Sequence, residues 1–370
     1  MASWMGGDGV GWVLRTRLIY RKGESVMATT NHLIRGFMAL VAMMAIALLA
    51  GLMSHHDPAW AQVDTEAVPG TTITVNTKED ETTPNDGKCS LREAIQNAND
   101  NAQTSPDCKA GSATEEDAIH FSLGRKATIV LGSTLPTITD PSGLNINGQK
   151  AKITISGNGA VRVFVVGVGA KLTVAKLAVA HGVAVGRSGG AILNEGTLMV
   201  IDSTFSANSA RIGGGIYNGP PGTLTVTNST FSANGALSGG GIYNDGTLTM
   251  TNSTFSANSA GFGGGIYNST GTLTMTNSTF SANSATVGDS APGGGAIFNA
   301  GGTSTLSNTI VANSPSGGNC SGTITDGGYN IEDGTTCGFS AANNSMPSTD
   351  PLLDPKGLQN NGGPTQTISC

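Results

Sequence analysis

Charge is scarce in this chain: Asp, Glu, Lys and Arg make up 12% of its 370 residues, against about a quarter in ordinary globular domains. Aromatics are few as well, at 5%. The 19 Lys and Arg are outnumbered by 25 Asp and Glu, giving a formal charge of −6. That balance argues against a nucleic-acid partner, since neutralising a phosphate backbone takes a basic surface. Good helix formers are sparse beside Gly, Ser, Thr and Asn, which argues against a helical bundle. No Gly-X-Y period accompanies the 54 Gly, so collagen is excluded. No CxxC or Cys/His spacing points to zinc, and no calcium-binding nonapeptide with its repeated Asp occurs. The GGG runs lack the Lys-Ser/Thr of a phosphate loop. No metal, cofactor or catalytic residue is therefore assigned, and what remains is a β protein with an uncharged polar surface.

One long apolar run is present, from Phe37 to Met53, preceded by Arg35 and followed by SHHDPAWA ending at Ala61. Basic start, apolar centre and Ala-x-Ala exit read as a secretory signal over residues 27–61, with cleavage after Ala61. The run is short for an uncleaved membrane span. Residues 1–26 then read as an upstream extension. All five Cys lie in the exported part, where an oxidising compartment favours bridges. Cys320 and Cys337 flank a Gly-rich turn segment and are expected to pair; Cys89 and Cys108 can pair in the same way, leaving Cys370 over.

The strongest signal is self-similarity. The FSAN tetrapeptides place Phe205, Phe231, Phe255 and Phe280 at spacings of 26, 24 and 25. Leu198, Leu224, Leu248 and Leu273 repeat with them, as do Ile192, Ile216, Ile242 and Ile266. Such a period marks a solenoid. Within one unit, TLTMT alternates Thr outward and Leu or Met inward, the period of a half-buried strand. Asn and Gly break the alternation where a bend needs left-handed backbone. One unit buries only about four apolar side chains at ~1.5–3 kcal/mol each, while ordering its backbone costs ~1–2 kcal/mol per residue. It cannot fold alone. Stacked units pair at about 4.8 Å and share one apolar column. Asn228, Asn252 and Asn277, with Asp202 before them, are expected to form an amide ladder. The fold expected is all-β, a right-handed parallel β-helix, over residues 118–313 with regular repeats at 189–313. Earlier strand candidates include 119–121, 128–130, 144–146, 153–155, 163–165 and 172–174. SLREAIQNA at 90–98 has helical spacing, with Ser90 as N-cap and Glu93 three residues on. It is expected to cap the solenoid within an N-terminal region 62–117, and residues 314–370 form the C-terminal counterpart.

These residues also resemble known groups. CSLREAI at 89–95 resembles the signature of CSLREA-domain proteins. GGAI at 189–192 and 294–297, alternating with FSAN, resembles the GGAI/FxxN repeat pair of polymorphic outer-membrane proteins. DPLLDPKGLQNNGGPTQT at 350–367 is similar to the segment of choice-of-anchor Q proteins. The resemblance implies an exported right-handed β-helix of the pectin-lyase-like solenoid type, secreted or on the surface or outer membrane of a bacterium. No series of alternating membrane strands follows the repeats before Cys370, and the anchor-like segment stops after Thr367, so a truncated anchor is expected.

Candidate chemistry is thin. From Gly189 to Asn313 the charged residues are Arg211, Glu195, Asp202, Asp245 and Asp289. A β-helical lyase or hydrolase needs acids clustered on adjacent turns, or a calcium site with a base, and only Asp202 falls in a bend column. The reading therefore leans away from an enzyme. Residues 141–194 contain no acid but carry Lys150, Lys152, Arg162, Lys171, Lys176, His181 and Arg187. Lys152 and Lys171 each precede an apolar-Thr-apolar triplet and are expected to stack on one face. With Lys176 and Arg162 they make the best contact for an anionic glycan; the plainer reading is a solvated face. His181 lacks an acidic partner and reads as a bend residue. Thr223, Thr225 and Thr227 recur as Thr247, Thr249 and Thr251 and as Thr272, Thr274 and Thr276, an array that suits ice or a regular polysaccharide surface. The Asn-Ser-Thr triplets at Asn228, Asn252 and Asn277 match the glycosylation sequon, though ladder and strand explain them. The function expected is a non-enzymatic surface or adhesive protein touching a polysaccharide or cell-surface component. A polysaccharide lyase or glycoside hydrolase is the alternative, and ice binding a minor one.

Overall fold

The structure is a computed structural model that describes residues 70–286 and 293–370. The expected signal segment and Ala61 lie outside the described residues. Alternation does what the pattern demands: Thr247–Thr251 buries Leu248 and Met250 and turns its three Thr outward. Its neighbours Thr223–Thr227 and Thr272–Thr276 pair with it in parallel and without slippage, Leu224 on Leu248 and Met250 on Met275. Each regular coil repeats this in four short strands. They build four parallel sheets, labelled here in coil order: sheet A with ten strands, sheet B with nine, sheet C with five and sheet D with seven. One coil thus runs through Thr197–Ile201 in A, Thr204–Ser206 in B, Ser209–Ile212 in C and, past a Gly-rich turn, Ile216–Asn218 in D.

The core is columnar. Phe205, Phe231, Phe255 and Phe280 are fully buried and stack with ring centroids 4.9, 4.7 and 4.8 Å apart. Bends between sheets A and B use Asp202, Asn228, Asn252, Asn277 and Asn308, all in left-handed backbone near φ 50°. Bends between B and C place Ala207, Ala233 and Ala257 in the same region, which alanine disfavours. Each donates its N–H across the coil, to Ser232, Ser256 and Ser281 at 3.1 Å, and each precedes a buried asparagine.

Those asparagines carry the unbroken ladders. Asn208, Asn234, Asn258 and Asn283 pass amide hydrogen bonds of 2.9 Å from coil to coil. Asn194, Asn218, Asn244, Asn268 and Asn299 do the same at 2.7–2.9 Å. The ladder expected at Asn228, Asn252 and Asn277 is only partial: Asn228 donates to Asp202 at 3.1 Å and Asn252 to Asn228 at 3.2 Å, while Asn277 accepts from Asn308. Solvent explains the difference, because an exposed amide can use water and a buried one cannot.

The helix expected over 90–98 is α1, Leu91–Asp100, opened by a capping box of Ser90 and Glu93. Leu91, Ala94, Ile95 and Ala98 face the core beside Thr72–Val75 and Asp117–Phe121, the first two strands of sheet A. Cys89 bridges Cys108 at its start. At the other end Cys320 bridges Cys337, and buried Glu332 holds that loop by accepting from Thr336 N at 2.8 Å and Thr336 Oγ1 at 2.9 Å. The parallel sheets continue to Thr325–Asp326 and Ile331–Glu332. Beyond them Gln359 and Thr367 pair antiparallel in a finger laid along sheet B. Leu353 and Ile368 pack with Ala312, and at the tip Thr230 Oγ1 donates to Gln366 O at 2.7 Å. Thr230, which points outward from sheet B, is buried in consequence.

Candidate functional site

Lys152 and Lys171 do not share a face. Lys171 opens Lys171–Ala175 of sheet A and pairs with Thr197; Lys152 opens Lys152–Ser156 of sheet B and pairs with Lys126. The triplet that follows each lysine is the grammar of any half-buried strand, so it carries no information on which sheet of the coil it enters. What does stack is Lys126, Lys152 and Lys176. The pairing of Ile153 with Leu177 sets Lys176 one coil beyond Lys152, at the corner between sheets A and B. All three are exposed. The ion pairs among the described residues are Lys88 with Glu79 and Asp86, and Arg92 with Asp80, so none joins this column, and Asp202 takes the same corner position one coil beyond Lys176 and ends it. Lys126 escapes the sequence reading because it precedes the acid-free stretch.

The other two candidates are engaged elsewhere. Glu116, Gly143 and Lys171 occupy one column by the register of Asp117, Leu144 and Leu172. Gly143 leaves room there, since a Cβ on it would lie 3.3 Å from Glu116 Cγ and 3.6 Å from Lys171 Cβ. Burial pushes the Glu116 carboxyl up, against the Thr173 hydrogen bond and the Lys171 charge. The stretch 141–194 is acid-free in sequence only; the coil before it supplies the acid. Arg162 donates from Nε to Gly189 O at 2.9 Å and from Nη2 to Ser188 O at 2.6 Å, holding the turn into sheet D. Burial first, and then Arg187, lowers its pKa. His181 is a bend residue at φ 51°, with its N–H donated to Ser206 O.

Two surfaces stand beside the lysines. The Thr array covers sheet A in register and extends one coil further, to Thr303 and Thr305. On sheet D, Tyr217, Tyr243, Tyr267 and Phe298 form an outward aromatic ladder with centroids 5.4, 4.9 and 5.1 Å apart. Because the rings lie on one another, solvent meets their edges and hydroxyls, and the flat faces that stack on sugars are used up. Tyr217 Oη donates to Asp245 Oδ2 at 3.3 Å. Burial, then the Asp245 charge, pushes its phenol up to about 12. The ladder is a feature the sequence reading missed; its signal is the aromatic after Ile216, Ile242, Ile266 and Ile297. Among the described residues no three His, Cys, Asp or Glu gather as a metal site.

Residues 142–321 match the family model described as a right handed beta helix region. No curated protein matches the chain. The matched span, just under half of the chain, covers the coils from Leu144–Asn147 to Cys320–Ser321, and with the coil geometry it identifies the fold as a right-handed parallel β-helix.

Proposed function

We propose that the chain is an exported, surface-associated β-helical module that holds acidic glycans along its side without cleaving them. The observation that supports it is the Lys126, Lys152, Lys176 column: one unpaired ammonium per coil, repeated at the strand spacing of about 4.8 Å. A linear polymer with one carboxylate per sugar presents its charges with a comparable repeat, so several weak contacts act together. Exposed pairs are individually weak and salt-sensitive, which suits reversible adhesion. Export rests on the segment 27–61, and surface association on the resemblances at 89–95 and 350–367.

Retention on immobilised alginate and polygalacturonate tests the reading. Lys152→Glu with Lys176→Glu should weaken retention by about tenfold at low salt; unchanged retention overturns it. Release of unsaturated or reducing products from either polymer, with or without calcium, overturns the non-enzymatic part. A second reading has its own observation, the Thr array of sheet A in register over four coils, which suits a flat periodic surface such as ice. Thermal hysteresis in concentrated protein supports it, and freezing that matches a serum albumin control removes it.

A further inference from the structure

Sheet C is chemically unlike its neighbours. Its strands read VAVGRS, SARI, GALS and SAGF, followed by the short Ser284–Ala285. They contain no acid. Ala184, Ala210, Ala236 and Ala260 lie in one register column, with Ala184 and Ala260 buried, so the alternate residues Val185, Arg211, Leu237 and Gly261 face outward on successive coils. Val185 is 84% exposed and Leu237 62% exposed. Both line one shallow depression with Arg211, and Arg187 is exposed beside them on the bulged strand Val183–Ser188. Neither Arg187 nor Arg211 has an ion-pair partner among the described residues.

We infer that this face of sheet C docks on an anionic phospholipid surface, with Val185 and Leu237 entering the headgroup layer and Arg187 and Arg211 binding lipid phosphates. The inference rests on the surface-association reading and gives it a physical means. Exposed apolar side chains interleaved with arginines match the two parts of a lipid interface, hydrocarbon and phosphate. A protein partner fits less well. The interior strands of sheet C are paired on both edges, so no extended peptide can add to them. Their outward side chains are apolar groups, guanidinium donors and the hydroxyls of Ser209 and Ser259, which leaves a peptide's own N–H donors few acceptors. A phospholipid phosphate brings acceptors only. A second copy of the same face would set arginine against arginine.

Co-sedimentation with vesicles tests this, using phosphatidylcholine alone and phosphatidylcholine mixed with phosphatidylglycerol. The chain should pellet with the mixed vesicles and far less with phosphatidylcholine, and added salt should release it. Val185→Ser with Leu237→Ser, and separately Arg187→Gln with Arg211→Gln, should each lower the partition coefficient by about tenfold, with melting temperatures unchanged because all four residues are exposed. Equal pelleting of parent and variants, or none by the parent, overturns the inference. So does markedly stronger release by inorganic phosphate than by sodium chloride at matched ionic strength, which marks a free-anion site with no lipid contact. Alginate retention separates this from the glycan reading: the sheet C variants should keep it, and Lys152→Glu with Lys176→Glu should keep vesicle binding.

Discussion

Asn258 sits at the centre of a buried ladder, giving its amide to Asn283 Oδ1 and taking one from Asn234, each at 2.9 Å. Replacing it with Ala removes the acceptor shared by Asn234 N and Asn234 Nδ2 and the amide donor to Phe231 O, while Asn283 Oδ1 keeps the Asn258 backbone N–H, at about 1–3 kcal/mol for each unmet group. Asn258→Ala should lower the melting temperature sharply, whereas Asn252→Gly, at an exposed bend whose left-handed backbone glycine accepts, should change it little. Thermal unfolding of the two variants checks the contrast. Asp117 is buried and accepts from Thr71 N at 3.1 Å and Ser112 N at 3.0 Å. Burial, reinforced by the Asp140 charge, still pushes its carboxyl up from 3.8 to about 6. The folded state therefore binds this proton more tightly than the unfolded state. Its stabilising share is full below pH 3.8, shrinks as pH rises through the raised value, and is gone above it. Asp117→Asn should flatten melting temperature against pH between 4 and 6, and a slope equal to that of the parent would refute the assignment. At this scale the phenylalanines are legible in sequence because an apolar residue in a repeated motif has one place to go. The lysines are not, because Lys152 and Lys171 share one local pattern and only coil closure decides that they enter different sheets.

At the scale of elements, α1 is legible because its signals are local: Ser90, Glu93 and apolar residues at helical spacing. Ser90 also donates from Oγ to Glu81 O at 2.7 Å. Ser90→Ala should cost at least the ~1 kcal/mol of a lost N-cap, read as a lower midpoint in urea unfolding. The finger at Gln359–Thr367 is not legible, since its contacts with Asn228 and Thr230 span more than a hundred residues. Its anchor is apolar: Leu353 and Ile368 against Ala312. Ile368→Ser should loosen it and raise amide exchange at Thr230–Ser232 of sheet B, leaving Thr247–Thr251 of sheet A protected. Equal protection of Thr230–Ser232 in parent and variant would show that the finger contributes nothing to that flank.

For the whole molecule, core and bend positions are interchangeable along the axis of the regular coils, because the buried Leu and Phe columns and the asparagine ladders repeat their residue type and sheet A pairs without slippage through Thr223, Thr247 and Thr272. Deleting residues 229–252 joins Asn228 to Ser253 and removes one complete coil, after which Phe231 is gone and Phe205 meets Phe255. Stability in such arrays is close to a sum of units and their neighbour contacts, so the shortened chain should keep its β circular dichroism and melt a few degrees lower. Loss of the fold would show that the coils are not equivalent.

The same equivalence reaches the gene. Slippage during replication that copies one such unit adds a rung to the aromatic row, the hydroxyl field and both amide spines at once, and disturbs none of them. Reach along the axis can thus change in whole steps while the chemistry of those rows stays the same.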